Sequence, residues 1–221
     1  MIVRNRLIVL LVRVAIFTLY VVSLTRFLPE YASFWIAMSS FSVQMGIVGT
    51  VMVGLEIIYT VIDLIRHGLH GAAAGPHMRL ALPITVFCVL GGIFHFTSAA
   101  PCNAAPTDSF STFFHIVLIL GPLVDWIALD EKGTVRFSGA LTCQLYPILY
   151  FVFGYLRTLI WPDVYVYGGH LYAIPFLDYS EPYIVGYAVA FFAITLGSNI
   201  LAVFVNNVLA GKYGFIRERL D

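Results

Sequence analysis

The chain has 221 residues, 60% hydrophobic and 11% charged, with zero formal net charge and a mean hydropathy of +0.91. Soluble domains carry about 45–50% apolar and about 25% charged residues, so a soluble fold of this length would lack the polar side chains to cover its surface. Lipid is the expected main solvent, and zero net charge argues against a nucleic-acid partner, which needs a basic patch.

A crossing of about 30 Å of hydrocarbon takes about 20 mostly apolar residues. Backbone in lipid must satisfy its own hydrogen bonds, so each crossing is predicted to be a helix. The first run, Leu7–Leu28, follows Arg4 and Arg6, is interrupted by Arg13, and ends in Arg26, Phe27, Leu28 and Pro29. It has no small-residue cleavage site and reads as a retained span rather than a secretory signal. Five more runs follow: Phe34–Leu64, Leu80–Ala99, Phe110–Leu129, Ser138–Ile160 and Tyr183–Leu209. The second and last are long enough to tilt or to project from the hydrocarbon. The expected fold class is all-α: one polytopic domain over residues 1–221, a bundle of six transmembrane helices.

Breaker-rich connections separate the runs: Pro29–Glu30, the Gly- and His-rich Arg66–Pro76, Ala100–Asp108 with two prolines, the polar turn Asp130–Glu131–Lys132–Gly133, and the tyrosine-rich Pro162–Pro182. Arg4 and Arg6, Arg66 and Arg79, Lys132 and Arg136, and Lys212, Arg217 and Arg219 fall on one side of the alternating runs. The other connections hold no Lys or Arg. The positive-inside rule makes the basic side cytoplasmic, with both termini there. His67, His70 and His77 are irregularly spaced and read as solvated loop. Cys88 and Cys143 lie in apolar runs and read as small buried hydrophobes. Cys102 lies in a loop expected outside.

Ionisable groups inside a span are costly and mark a function or a partner. Arg13, Glu56, Asp63, His95, His115, Asp125 and Arg157 qualify. His115 lies about 8 Å, and Ser42 about 12 Å, from the outer ends of their spans at ~1.5 Å per residue. A neutral imidazole within reach of a hydroxyl is the minimal device for activating an oxygen nucleophile. The competing reading of Ser42 is a small packing residue bonded to its own backbone. His95 and His115 would also suit a haem held between helices, although one embedded pair is few for that role. Asp125 lies about 15 Å deeper than His115, and Glu56 is at a similar level. Both are too deep to complete a triad and read as anchors of helix ends, snorkelling to water, or as partners of Arg79, Arg136 or Arg13. Arg157 either pairs with Asp178 across the outer mouth or faces a substrate carboxylate. No nucleophile elbow, phosphate-binding loop, dinucleotide fingerprint or zinc-protease motif occurs, and no cofactor or metal is expected.

Two stretches carry a resemblance. Phe113–Phe114–His115–Ile116–Val117 through Gly121–Pro122–Leu123–Val124–Asp125–Trp126, followed by Asp130–Glu131–Lys132–Gly133, is one. Leu145–Tyr146–Pro147 through Tyr155–Leu156–Arg157, followed by Tyr172–Ala173–Ile174–Pro175–Phe176–Leu177–Asp178, is the other. Together they resemble the androgen-induced gene family of six-span membrane proteins, in its bacterial branch, with matching order from about Phe34 onward. The resemblance implies a bacterial plasma-membrane protein that hydrolyses lipid esters of the kind formed between fatty acids and hydroxy fatty acids. It implies His115 as the catalytic histidine. The family's threonine nucleophile sits in a stretch like Phe-Thr-Ile-Gln-Ser-Asn, which here reads Phe41–Ser42–Val43–Gln44–Met45–Gly46, so Ser42 takes its place. Gln44, Arg157 and Asp178 are the expected substrate-binding residues. Met45 and Gly46 replace the family's Ser-Asn pair. The partners expected are the bilayer and a lipid-like ester; the alternative is a binder or transporter of a small amphiphile without turnover.

Overall fold

The computed structural model describes residues 3–31, 33–71, 78–102, 109–130, 132–133, 135–161 and 182–211. The helices, in chain order, are α1 Arg6–Phe27, α2 Phe34–Ala37, α3 Phe41–His67, α4 Met78–Cys102, α5 Ser109–Val124, α6 Phe137–Thr142, α7 Leu145–Ile160 and α8 Ile184–Leu209. Among the described residues the only β pairing is one isolated bridge, Asn5 to His70. Five stretches are long and apolar enough to cross a membrane: Arg6–Glu30, Phe41–His67, Phe110–Leu129, Phe137–Ile160 and Ile184–Leu209; a shorter apolar helix covers Ala81–Phe96. Large apolar side chains point outward, among them Leu11 at 61%, Trp35 at 62% and Val185 at 71% exposure. Faces of that kind suit hydrocarbon and not water. The chain is an all-α, multi-pass membrane protein.

Three predicted spans are not continuous α-helices. The run Phe34–Leu64 breaks between α2 and α3 at Ser40, which is extended at φ −78°, ψ 126°. Side chains take up the carbonyls near the break. Gln44 Nε2 donates to Met38 O at 2.7 Å and Tyr150 Oη donates to Ser39 O at 3.0 Å, so the break leaves these groups satisfied. The run Ser138–Ile160 breaks at Cys143 and Gln144. Pro147, in the first turn of α7, has no N–H for the Cys143 carbonyl, and Tyr146 N–H supplies it at 3.1 Å. The third is α5, which contains Pro122 and continues from Asp125 to Leu129 as a wider π-helical turn. Pro122 removes one rung of the ladder and crowds the preceding turn.

Helices α1, α3, α4 and α5 form the centre of the bundle around Tyr20, Phe27, Phe41, Cys88, Phe114 and Leu118. Their close approach depends on small residues, as membrane helix interfaces generally do. A Cβ on Gly46 would come within 2.8 Å of the Phe114 ring, and one on Gly92 within 2.4 Å of Ile119.

At one end of the bundle, Val3 N–H donates to Ala128 O, Arg6 N–H to Leu69 O and Gly71 N–H to Arg4 O. Arg6 Nη1 also donates to His67 O, Gly68 O and His70 O, capping the carbonyl end of α3 with a cation. Gly71, at φ 125°, lies so close to this guanidinium that a Cβ would be 2.4 Å from Nη2. The start of α1, the end of α3 and the end of the π turn therefore share one end of the bundle. His67 and His70 side chains are exposed; His77 lies outside the described residues.

Candidate functional site

Helices α3 and α5 approach each other near Ser42 and His115. Gly46, one turn after Ser42, packs on Phe114, and a Cβ on Gly91 would lie 3.4 Å from both Ser42 Cα and the Leu118 side chain. The two side chains nevertheless face different neighbours. Ser42 Oγ pairs with Ser40 Oγ at 3.0 Å. The His115 ring stacks on His95 at 3.5 Å with 8° between planes and meets Phe27 edge-on at 5.4 Å. No hydrogen bond joins Ser42 to His115. The cause is local: His115 Nδ1 is bonded to the Ser111 carbonyl of its own helix at 2.7 Å, which holds the ring beside α1 and α4.

That anchor fixes the tautomer. A carbonyl only accepts, so Nδ1 carries the proton and Nε2 presents a bare lone pair. Nε2 is buried and has no hydrogen-bond partner. Ser111, fully buried, places its Oγ 3.5 Å from His95 Nε2. Sequence reading passed over Ser111; the available signal was its position four residues before His115, on the same helical face. Face-to-face stacking of the two imidazoles leaves no gap between them for a haem.

The expected substrate-binding residues are placed differently. Gln44 is taken up at both ends, donating to Met38 O and accepting from Tyr146 Oη at 2.6 Å, which makes it a clamp between α3 and α7. Arg157 is buried at 4% exposure and is not free. Asp178 lies outside the described residues. Gly46 has a packing role, because Phe114 occupies the space beside it. Cys88 is fully buried and donates to Met45 O at 3.4 Å, and Cys143 is half-buried.

Deeper in the bundle, four charged side chains meet. Arg13 Nε donates to Asp125 Oδ1 at 2.8 Å, Nη2 to Asp130 Oδ1 at 2.7 Å and Nη1 to Thr60 Oγ1 at 2.8 Å; Glu56 Oε2 lies 3.7 Å from Nε. All four are at least 95% buried. Of the partners anticipated for Glu56 and Asp125, the structure selects Arg13. Asp130, read from sequence as part of a polar turn, is instead drawn inside. One oxygen from each of Glu56, Asp125 and Asp130 lies within 4.8 Å of the others, and the guanidinium is the cation they share. Asp130, just past the span, is pushed up to about 7 by burial and then by the Asp125 carboxylate. Lys132 donates to Asp130 O at 3.1 Å and to Trp126 O, with its ammonium 5.0 Å from the Trp126 ring centre; burial lowers its pKa.

An apolar groove of about 320 Å³ runs along α4 between α5 and α8, lined by residues that include Leu90, Ile93, Leu123, Trp126 and Leu201. No family model matches the chain, and neither a curated protein nor a solved structure does.

Proposed function

We propose that the chain is an intramembrane hydrolase of apolar esters, with His115 as general base and Ser42 as the hydroxyl it activates. The observation that carries this reading is the bare Nε2 of His115. The nitrogen is buried, unpartnered and held in the proton-accepting tautomer, as a base for an alcohol nucleophile must be. The apolar groove supports it as a seat for an acyl chain. Its Ile93 end is adjacent in sequence to Gly92, where a Cβ would stand 3.0 Å from the His115 carbonyl. On this reading the Ser42 hydroxyl leaves Ser40 and engages His115 once an ester has entered, since catalytic hydrogen bonds commonly tighten only with substrate present. Ser42 Oγ attacks the ester carbonyl, Nε2 takes its proton and returns it to the departing alkoxide, and water then releases the acyl group. The resemblance suggests esters of hydroxy fatty acids as substrates. The same reading makes α4 the sixth crossing and places the end that carries Arg4, Arg6 and Arg66 in the cytoplasm.

The Ser42–Ser40 hydrogen bond favours a second reading, in which the groove binds an amphiphile without turnover. A fluorophosphonate probe and an ester-hydrolysis assay separate the two. The purified chain should label and hydrolyse; Ser42→Ala should lose both, and His115→Ala should lower the rate by about 100-fold or more. Labelling that persists in Ser42→Ala but vanishes in Ser111→Ala would move the nucleophile to Ser111. Absence of both label and turnover in the wild type would leave only the binder.

A further inference from the structure

The charges around Arg13 do not balance. Glu56, Asp125 and Asp130 bring three carboxylates, while Arg13 and the neighbouring Lys132 bring two cations. A surplus negative charge in the low-dielectric interior of a membrane helix bundle is costly. Arg13 distributes its contacts unevenly: it hydrogen-bonds Asp125 and Asp130, but Glu56 stands off at 3.7 Å. Glu56 also lies beside the Asp125 carboxylate, within the 4.8 Å cluster. Two carboxyl groups so placed share a proton in preference to both ionising.

A second, independent feature faces the same point. Tyr20 is fully buried, and its Oη makes no hydrogen bond of normal geometry; the one polar side chain beside it, the Cys88 thiol, donates instead to Met45 O. The ring is held by two glycines: a Cβ on Gly49 would lie 3.0 Å from Oη, and one on Gly121 3.2 Å from the ring. Tyr20, Glu56, Asp125, Thr85 and Pro122 line one small cavity of about 20 Å³, enough for a single water. An orphaned phenol on an apolar wall would cost free energy. Directed into a cavity beside two carboxyl groups, it has a water or a carboxyl oxygen to donate to.

We infer that Glu56 forms a proton-binding site against the Asp125 carboxylate, holding one proton at neutral pH beside a one-water cavity capped by the Tyr20 hydroxyl. With Asp130 ionised, the bound proton makes the set of Glu56, Asp125, Asp130, Arg13 and Lys132 neutral. The charged or titratable groups around Glu56 among the described residues all belong to this account: Arg13 and Tyr20 from α1, Asp125 from the π turn and Asp130 from the turn after it, with Lys132 bonded to Asp130 and Cys88 of α4 beside Tyr20. The Cys88 thiol is committed to Met45 O. The ligand is the proton itself, taken from water.

Infrared difference spectroscopy of the full-length protein in lipid nanodiscs tests the site through the carbonyl stretch of a protonated carboxylic acid, identified by its shift in heavy water. The wild type should show this band at a pH well above 7, where Asp130 is ionised and adds no band of its own. Glu56→Gln, which keeps the shape of the protonated acid, should lose it, as should Asp125→Asn. Tyr20→Phe should move the band without abolishing it, a change that a merely space-filling tyrosine would not cause. Asp63→Asn, on α3 outside the cluster, should leave the band unchanged. A wild type without the band, or a band that survives in both carboxyl variants, would overturn the proposal. So would loss of the wild-type band on adding sodium, which would mean that the site takes a metal cation in place of the proton. The wild-type and sodium measurements need no variant, so a variant that fails to fold does not leave the question open.

Discussion

Asp130 stands one residue beyond the span that ends at Leu129, where its side chain turns inward to meet Arg13 at 2.7 Å. Burial and the nearby Asp125 charge raise it from 3.8 to about 7, against the opposing pull of Arg13 and Lys132. A carboxyl whose folded pKa is raised binds a proton in the folded state that it has already lost when unfolded. Over that interval stability therefore falls as pH rises. The contribution is fully present below about 3.8 and is gone once the pH has passed about 7. Thermal unfolding in detergent should show a midpoint that declines across this window. Asp130→Asn should flatten the decline, since its amide oxygen still accepts from Arg13 without titrating. An equally steep decline in the variant would mean that another group carries it. Arg13 also marks how far single residues were legible. A lone arginine inside an apolar run announces a buried partner, and Asp125 and Glu56 were visible candidates. Asp130 was hidden because a carboxylate beside lysine and glycine has the composition of a solvated turn.

At the scale of the helix, hydropathy and length locate every described long apolar run but not its internal breaks. Ser40 and Cys143 interrupt stretches whose hydropathy is continuous. At the first break the freed carbonyls are taken up by Gln44, four residues on, and by Tyr150, far away in the chain; at the second, the missing N–H of Pro147 interrupts the ladder locally. Helix α8 is the sharpest example. It reads as an apolar span, yet Thr195, Asn199, Asn206 and Asn207 are all at most 5% exposed. Asn206 accepts from Trp126 Nε1 at 3.3 Å and Thr195 Oγ1 donates to Gln144 Oε1 at 2.9 Å, partners far away in the chain, while Asn199 donates to the Thr195 carbonyl of its own helix at 2.9 Å. The crossing of α3 and α5 depends on Gly46. A methyl group there would stand 2.8 Å from two carbons of the Phe114 ring, and that ring is itself stacked on Phe27 at 4.7 Å. Gly46→Ala should therefore destabilise the bundle by about 1–3 kcal/mol, the usual cost of overpacking a filled core. Gly54→Ala, where a Cβ would meet only a Phe17 ring edge at 3.4 Å, should cost less. Unfolding of both variants in the same detergent gives the comparison, and equal losses would mean that the Phe114 contact is not what limits the approach.

At the scale of the whole molecule, the hydrogen bonds Val3–Ala128, Arg6–Leu69 and Gly71–Arg4 bind three separate segments into one end. That end carries Arg4, Arg6 and Arg66, with Lys132 just past the π turn. Arg6 is not simply a topogenic charge, because its guanidinium also holds the last carbonyls of α3. The distribution of Lys and Arg along the sequence implies the same common side for these residues. The alternation of runs carries topology, whereas which helix touches which is carried by glycines and aromatic rings whose partners lie far away in the chain. If the basic end is cytoplasmic, as the positive-inside rule requires, two exposed positions must differ in their access from outside. Glu30, in the turn after α1, should face out, and Arg66, in the last turn of α3, should face in. In a chain carrying Cys88→Ala, Cys102→Ser and Cys143→Ala, Glu30→Cys should react with a membrane-impermeant maleimide on intact cells. Arg66→Cys should react only after the membrane is opened. The reverse pattern would invert the protein in the bilayer and put the Arg13 cluster toward the outer face. Reaction of both positions on intact cells would contradict a crossing by α3.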